Sequence, residues 1–295
     1  MTENIQQMNI VGPDVAVENP SFSSHRTVIE PSKRRFYLNL HGIWEYRELL
    51  LFLAWRDLKT RYAQTTIGFA WAIVQPVAMM LLFTLVFSNF AKLPSDGVPY
   101  PLFVYAALLP WNYFARSLDK SSFSIVAESN IISKVYFPRI IVPISGTLVG
   151  LVDFTIAFSL LLVMMAFYGV MPSWEALFIP MFLLLTLLTS LAVSLWLAAV
   201  FVRFRDIAAA MPLVTQIWMF ASPVVYPVSL VPEQWQVLYT LNPMTGVIEG
   251  FRWALLKTPP PALGGMAVTV GCVLVFLLWG MSYFNRMERK FADVI

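Results

Sequence analysis

The sequence predicts an all-α integral membrane protein with six transmembrane helices, an N-terminal amphipathic interfacial helix and a re-entrant outer hairpin between helices 5 and 6. Hydrophobic residues make up 58% of the 295-residue chain and charged residues only 13%. A soluble domain has about twice that charged fraction. The apolar residues also form long runs, and a helix needs ~20 apolar residues to cross the ~30 Å hydrocarbon layer of a bilayer.

Six runs are long enough to span the membrane, and helices are expected because backbone groups in lipid must be hydrogen-bonded within their own segment. They lie at about 63–91, 98–117, 140–170, 176–201, 208–228 and 262–284, in a transmembrane domain covering 63–285. Residues 1–40 form a polar head, which its composition predicts to be disordered. Residues 286–295 form a short tail.

The basic residues predict the orientation of these helices. With a cytoplasmic N-terminus, seventeen of the twenty lysines and arginines lie on the cytoplasmic side. The outer side then holds only Lys92, Arg252 and Lys257. The positive-inside rule therefore predicts that both termini are cytoplasmic.

Residues 41–62, before the first span, predict a helix that lies in the cytoplasmic interface. Its apolar residues recur at helical spacing and charged residues fill the flanks, as in amphipathic surface helices. The apolar positions are Trp44, Leu51, Trp55, Leu58 and Tyr62. The alternative is a cytoplasmic extension of the first span.

Two connecting segments carry further signals. The cytoplasmic stretch 116–139 predicts either a short helix that docks on a soluble partner or a solvated loop. In the outer stretch 229–257, Asn242-Pro243 marks a turn between two half-helices. Trp235 and Tyr239 suit an aromatic belt, and Glu249 and Arg252, three residues apart, are expected to pair.

Asp153 is the one acidic residue inside a predicted span. An aspartate at that depth should face protein or water. We expect a structural role, with the carboxylate bonded to a serine or threonine of a neighbouring helix; the alternative is a proton or substrate site. The candidate partners are Thr186, Thr189, Ser190 and Ser194. Apart from Arg116, at the border of the second span, the predicted spans offer no histidine, lysine or arginine for a relay, which argues against an ion-coupled secondary transporter.

Two other sets of residues in the spans carry weaker signals. Gly146 and Gly150 form a small-residue pair that allows close helix packing. Aromatic residues of the first and fifth spans could line a pore for a glycan, or they could equally face lipid or pack helices. These residues are Trp71, Phe83, Phe87, Trp218 and Tyr226.

Several classes of function are disfavoured. There is no Gly-x-x-x-x-Gly-Lys-Ser/Thr phosphate loop, so this chain is not expected to bind ATP in that way. One cysteine and two histidines, both before the first span, give no metal-ligand spacing. The net charge of +3 does not indicate nucleic-acid binding. No catalytic constellation is present, which disfavours a membrane-embedded transferase.

Seven stretches in a fixed order make the chain resemble the permease subunits of ABC-2 type polysaccharide exporters, the O-antigen, capsule and teichoic acid group. The resemblance covers about residues 45–290. The stretches are FLAWRDLKTRYAQTTIGFAWAIVQP (52–76), LLPWNYF (108–114), NIISKVYFPRIIVP (130–143), LVDF (151–154), RFRD (203–206), SPVVYP (222–227) and LNPMTGVIEGFRWALL (241–256).

This resemblance implies a permease in the bacterial inner membrane that works as two copies with two copies of a separate nucleotide-binding subunit. That subunit would bind ATP and Mg²⁺ and hydrolyse ATP, while this chain holds no cofactor. The substrate would be a lipid-linked polysaccharide, with O-antigen first among the polymers; export of a drug or small lipid is the alternative.

The resemblance also implies roles for particular residues. The ATPase would dock on Trp55, Arg56, Glu128, Asn130, Lys134, Tyr136 and Phe137. The outer hairpin, with Trp235, Tyr239, Glu249 and Arg252, would act as a gate.

Overall fold

The computed structural model describes residues 40–63, 70–204 and 206–294, and this part of the chain consists of helices and turns with no β-strand. The all-helical prediction is therefore confirmed there, while the predicted polar head lies almost wholly outside the described residues. The α-helices are α1 (Leu40–Glu45), α2 (Arg47–Ala63), α3 (Ala70–Phe83), α4 (Tyr100–Ala127), α5 (Ser129–Ile132), α6 (Ile141–Phe167), α7 (Ile179–Arg203), α8 (Ile207–Phe220), α9 (Glu233–Thr240), α10 (Pro243–Leu256) and α11 (Leu263–Val294).

Four helical segments of the described chain are long and apolar enough to cross a membrane. They are Ala70–Phe90, Ile141–Phe167, Trp174–Arg203 and Leu263–Glu288. The first joins α3 to a π-helix, Thr84–Phe90, and the third joins a 3₁₀ turn, Trp174–Phe178, to α7. Large apolar side chains such as Leu81, Leu184 and Val275 are exposed on these segments, as expected of surfaces that face lipid.

The structure differs from the predicted spans at three helix ends. Helix α8 has 14 residues and ends at Phe220, well before residue 228, because Pro223 and Pro227 follow and proline cannot continue a helix. Helix α4 runs ten residues past the predicted end at 117, and α11 continues through most of the predicted tail. The predicted spans were ended where polar residues begin, but the helices continue through these polar residues.

Helix α4 is the centre of the fold. It packs along α6 and α7 and also contacts α3, α8 and α10. Every residue from 102 to 109 is 3% exposed or less. A second apolar cluster lies around the opposite end of α4, where Ile125 joins Leu53 of α2, Phe137 and Phe291. Helix α11 completes the bundle by packing along α7.

Glycines of α6 allow α4 to come close. A methyl group added at Gly146 would lie 2.7 Å from Oγ of Ser121, and one added at Gly150 would lie 2.9 Å from Oγ of Ser117. The ring of Tyr113 would be 3.1 Å from the methyl group at Gly150. The close packing predicted for this pair of glycines is therefore confirmed.

Replacing Gly150 by alanine is expected to lower stability by ~1–3 kcal/mol, because the added methyl group overpacks the α4–α6 contact. The matched control is Gly271→Ala in α11, where nothing lies within 4 Å of the added atom; this change should leave stability equal or slightly higher, because alanine is the better helix former. Thermal unfolding of both variants in the same detergent would test the contact. Equal melting temperatures would contradict it.

Candidate functional site

The carboxylate of Asp153 joins three helices. Asp153 lies on α6 and is 5% exposed. Its Oδ2 lies 2.8 Å from Nη1 of Arg61, on α2, and 2.9 Å from Nη1 of Arg116, on α4. Its Oδ1 accepts a hydrogen bond from the hydroxyl of Tyr62. We call these four residues the Asp153 cluster. Arg116 extends it by donating from Nη2 to Oε1 of Gln75, on α3, over 2.6 Å.

The predicted partners of Asp153 are corrected by this geometry. The hydroxyls of Thr186, Thr189 and Ser194 donate to carbonyls of their own helix, α7, over 2.6–2.7 Å, and Ser190 does the same over 2.9 Å. Asp153 is instead bonded to arginine and tyrosine. Sequence reasoning missed these partners because Arg61 and Tyr62 were placed on the interfacial helix and Arg116 at the start of the cytoplasmic stretch 116–139. The signal that could have found them is the position of both arginines at the borders of predicted spans.

A second ionic group joins α2 to the end of α4. Arg56 Nη1 donates to Oε2 of Glu128 over 3.0 Å, and Nη2 contacts the second oxygen, so the pair is bidentate. Arg56 and Lys120 both bind Asp57, at 2.8 and 3.0 Å. Burial alone raises the pKa of Asp57, but the hydrogen bonds and charges of Arg56 and Lys120 hold that pKa below its usual value.

The two ionic groups line one cleft of about 500 Å³ between α2, α4 and α6. Its charged lining residues are Arg56, Asp57, Arg61, Arg116, Asp119, Lys120 and Glu128, and Thr60, Gly146, Val149 and Gly150 complete the walls. Asp119, on the α4 wall, has a pKa raised by burial, an effect that the charge of Lys120 partly offsets. Four basic and three acidic side chains thus line the same cleft, so that most of its charge is balanced.

The residues predicted to dock on an ATPase fall into three environments. Tyr136 is 72% exposed, and Asn130 and Lys134 are exposed beside it; we call these three residues the docking patch. Arg56 and Glu128 bind each other, as described. Phe137 is 3% exposed and packs in the apolar cluster around Ile125, so the structure corrects it from a contact residue to a core residue.

Helix α2 has two apolar faces. Leu53 is buried against the cluster at the end of α4. On the other side, Trp44 of α1 and Leu51, Phe52 and Trp55 of α2 are each more than 60% exposed. An exposed stripe of this kind next to membrane-spanning helices suits the headgroup region of a bilayer.

The candidate pore aromatics do not share one surface. Trp71 is exposed and lines a small cavity with Arg61, Arg116 and Asp153. Phe83 is buried, and its ring meets Phe87 edge-on at 5.8 Å. Trp218 and Tyr226 were both placed in the fifth predicted span, but they do not lie on the same helix because α8 ends at Phe220.

Trp218 and Tyr226 instead connect α8 to the hairpin of α9 and α10. Nε1 of Trp218 donates to Oδ1 of Asn242 over 3.0 Å, and the same oxygen caps α10 by accepting from the backbone N–H of Met244. The hydroxyl of Tyr239 donates to that of Tyr226 over 2.8 Å. The two short helices meeting at Asn242-Pro243 are therefore confirmed.

Arg252 anchors the hairpin in the core and does not form the predicted ion pair with Glu249. It is 3% exposed, and its guanidinium donates to the carbonyls of Phe103, Val224 and Tyr226 at 3.1, 2.8 and 3.5 Å. It also lies over the ring of Phe103. Within the described chain no nitrogen of Arg252 comes within 4.0 Å of a Glu249 oxygen, because the three carbonyls hold the guanidinium elsewhere.

Comparison with known proteins gives the family. Residues 48–256 match the ABC-2 type transporter family, and the chain belongs to this family. It is 30% identical over 257 residues to the O-antigen export system permease protein RfbA of Myxococcus xanthus, covering 86% of this chain and 97% of that protein.

Two further groups of relatives are more distant. An O-antigen export system permease protein RfbA of Klebsiella pneumoniae is 25% identical over 84% of this chain and 95% of its own length. The polysialic acid transport protein KpsM of Escherichia coli is 24% identical over 79% of this chain and 91% of its own length. The fold, its four apolar segments and these relatives agree that the chain is a membrane transport protein.

Replacing Asp153 by asparagine is expected to destabilise the protein, because Arg61 and Arg116 lose the carboxylate that neutralises them. A fully buried pair would cost ~3–5 kcal/mol, and the partial exposure of both arginines reduces this to about 1–3 kcal/mol. Thermal unfolding of Asp153→Asn, Arg116→Gln and the double variant would give the coupling free energy. Strictly additive losses would contradict a direct ion pair.

Proposed function

We propose that this protein is the transmembrane permease subunit of an ATP-driven ABC transporter that exports a lipid-linked polysaccharide, with O-antigen as the first candidate, across the bacterial inner membrane. The observation that carries the proposal is the match to the Myxococcus xanthus O-antigen export permease over nearly the full length of both chains. Capsule polymers are the second candidate, supported by the similarity to KpsM. Export of a drug or small lipid finds no such relative among these proteins.

The transporter would contain two copies of this chain and two copies of a separate nucleotide-binding subunit that holds ATP and Mg²⁺. The docking patch supports a contact with that subunit, because an exposed tyrosine flanked by polar side chains can insert into a groove of a partner and anchor it. Trp55 directly precedes Arg56 on α2. The Arg56–Glu128 pair holds α2 against the end of α4. The pair would transmit movement rather than contact the partner.

The proposed topology keeps six spans with both termini in the cytoplasm. The four apolar segments would be joined by α4 as the second span and by α8 as the fifth, with the α9–α10 hairpin between the fifth and sixth spans. The hairpin would be re-entrant from the periplasmic side and act as the gate, with Trp235 and Tyr239 at the interface. Trp71, Phe83 and Phe87 remain candidates for the polymer path.

Co-purification is the first test of the proposal. We expect this chain and the ATPase subunit encoded beside it to form a stable two-plus-two complex in nanodiscs, and lipid-linked glycan to change its rate of ATP hydrolysis. A chain that purifies alone and ignores every neighbouring ATPase would contradict the proposed function. A complex that responds to a small lipid but not to glycan would favour the alternative cargo.

Cysteine labelling would test the topology. Cys272 is the only cysteine, so Cys272→Ala gives a background without thiols. In intact cells, a membrane-impermeant maleimide is expected to label Gln234→Cys in α9 and to spare Ser133→Cys after α5; after lysis it should label both. The reverse pattern would overturn the proposed orientation. Labelling of both positions in intact cells would show that the cells leak, and release of a cytoplasmic marker protein into the medium detects such leakage.

Truncating Tyr136 is expected to weaken docking while leaving the fold intact, because its side chain is exposed. Tyr136→Ala should reduce the amount of ATPase retained, or uncouple ATP hydrolysis from export, by about 10-fold, the loss of a hot-spot side chain worth ~1.4 kcal/mol. The matched control is Tyr168→Ala, another exposed tyrosine that lies at the opposite end of α6. Normal coupling in Tyr136→Ala, or equal loss in both, would remove Tyr136 from the docking patch.

A further inference from the structure

A polar cavity of about 280 Å³ lies behind the α9–α10 hairpin, at the end of α4 away from the docking patch. The loop before α4, both hairpin helices and the start of α11 enclose it. Its polar lining residues are Asp96, Ser229, Gln236, Thr240, Thr245, Glu249, Arg252, Thr258 and Thr269. Only Glu249 and Arg252 of this set belong to the proposed gate, and none belongs to the docking patch; we call the space the hairpin cavity.

The acidic residues of the hairpin cavity have unused bonding capacity. Within the described chain, the carboxylate of neither Asp96 nor Glu249 forms an ion pair within 4.0 Å or a side-chain hydrogen bond. Glu249 is half-buried on α10. Two carboxylates directed at the same small space can accept several hydrogen bonds from one ligand.

Thr245 is an independent sign that the cavity can bind a polar ligand. It is 2% exposed, and its hydroxyl has no hydrogen-bond partner among the described residues. Buried hydroxyls normally have a hydrogen-bond partner, because a buried polar group without a hydrogen bond costs free energy. A ligand or water that entered the cavity would supply it.

The charge of the hairpin cavity limits the kind of ligand. Asp96 and Glu249 contribute two negative charges, and Arg252 contributes one positive charge. Three of the five N–H donors of Arg252 are bonded to the carbonyls of Phe103, Val224 and Tyr226, which takes up most of its capacity to bind an anion. The net charge of −1 that these three side chains give the cavity therefore disfavours anionic ligands such as sialic acid or phosphate.

A metal ion is a poor fit. No group of three or more histidine, cysteine, aspartate or glutamate residues able to hold a metal occurs in the described part of the chain, and Ca²⁺ needs six to eight oxygen ligands. The cavity offers hydroxyls, an amide and carboxylates instead, together with an apolar wall. That wall consists of Pro259, Pro260, Pro261 and Met266.

We propose that the hairpin cavity binds one or two uncharged sugar units of a glycan chain. A sugar has several hydroxyls that donate to carboxylates and accept from threonine, and its C–H face can pack on the proline wall. The volume lies just below the ~300–1,000 Å³ of sites for drug-sized ligands, which limits the occupant to a short piece of chain. The inference rests on the proposed function and makes it more specific, because it selects neutral over acidic polymers.

Sugar binding to the intact transporter complex in nanodiscs tests this proposal. The probes are mannobiose, galactobiose, maltose and α2,8-linked disialic acid, each followed by saturation-transfer NMR at millimolar concentration. We expect at least one neutral disaccharide to bind and disialic acid not to bind. No binding by any neutral probe, or equal binding of disialic acid, would overturn the proposal.

Matched variants locate the binding. Glu249→Gln and Asp96→Asn each remove one charge with little change of shape, and each should weaken the neutral sugar at least fivefold. Asparagine tolerates the left-handed backbone of Asp96, where φ is +51°, so this variant keeps the loop intact if Glu249→Gln fails to fold. Glu233→Gln removes the same charge from an exposed site on α9 outside the cavity and should bind normally. Equal weakening by Glu233→Gln, or none by Asp96→Asn, would contradict the cavity as the site.

The sugar site in the hairpin cavity and the proposed function can be contradicted separately. A complex that retains its ATPase and responds to lipid-linked glycan, but binds no neutral disaccharide, contradicts only the hairpin cavity. A chain that forms no complex with an ATPase contradicts the proposed function itself, and the sugar experiment is then not needed to reach that result.

Discussion

One carboxylate within the bundle determines how the first half of the protein is assembled. Asp153, almost completely shielded, neutralises arginines from α2 and α4 and accepts a hydrogen bond from Tyr62. An ionised side chain at this depth is tolerated only when it is paired and hydrogen-bonded. The polar end of α2 is therefore held against α6, which keeps the exposed tryptophans of α1 and α2 turned away from the bundle.

The same helices support two different surfaces. The start of α4 is buried among apolar neighbours and carries the hairpin, through Tyr100 bonded to the carbonyl of Val225 and through Arg252 bonded to the carbonyl of Phe103. The end of α4 is charged and carries Glu128 next to the docking patch. The surface proposed to bind a partner and the cavity proposed to bind a glycan chain thus lie next to opposite ends of one continuous helix.

Sequence reasoning reached the helical membrane fold, the close contact at Gly146 and Gly150, and the turn at Asn242-Pro243, because each depends on composition or local geometry. It failed where a residue's partner comes from a distant element. The pairing of Asp153 with Arg61 spans 92 positions, and no local pattern encodes it. Phe137 was placed on a surface because its neighbours are polar, whereas the chain turns its ring into the core. The predicted end of the fifth helix was wrong because apolar residues continue past Phe220, while two prolines stop the helix.

The position of the glycine contact along α4 has a mechanical consequence. The helix has 28 residues and is ~42 Å long at 1.5 Å per residue, and Gly150 touches it at Tyr113 and Ser117, near its midpoint. Helix α4 can pivot about this contact like a lever about a fulcrum, and the parts of the helix on either side of the contact are nearly equal in length. A tilt of about 10° around it moves the two ends by about 3–4 Å in opposite directions. A push on the end of α4 nearest Glu128 would thereby be converted into an opposite displacement beneath the hairpin, with no bending of the helix itself.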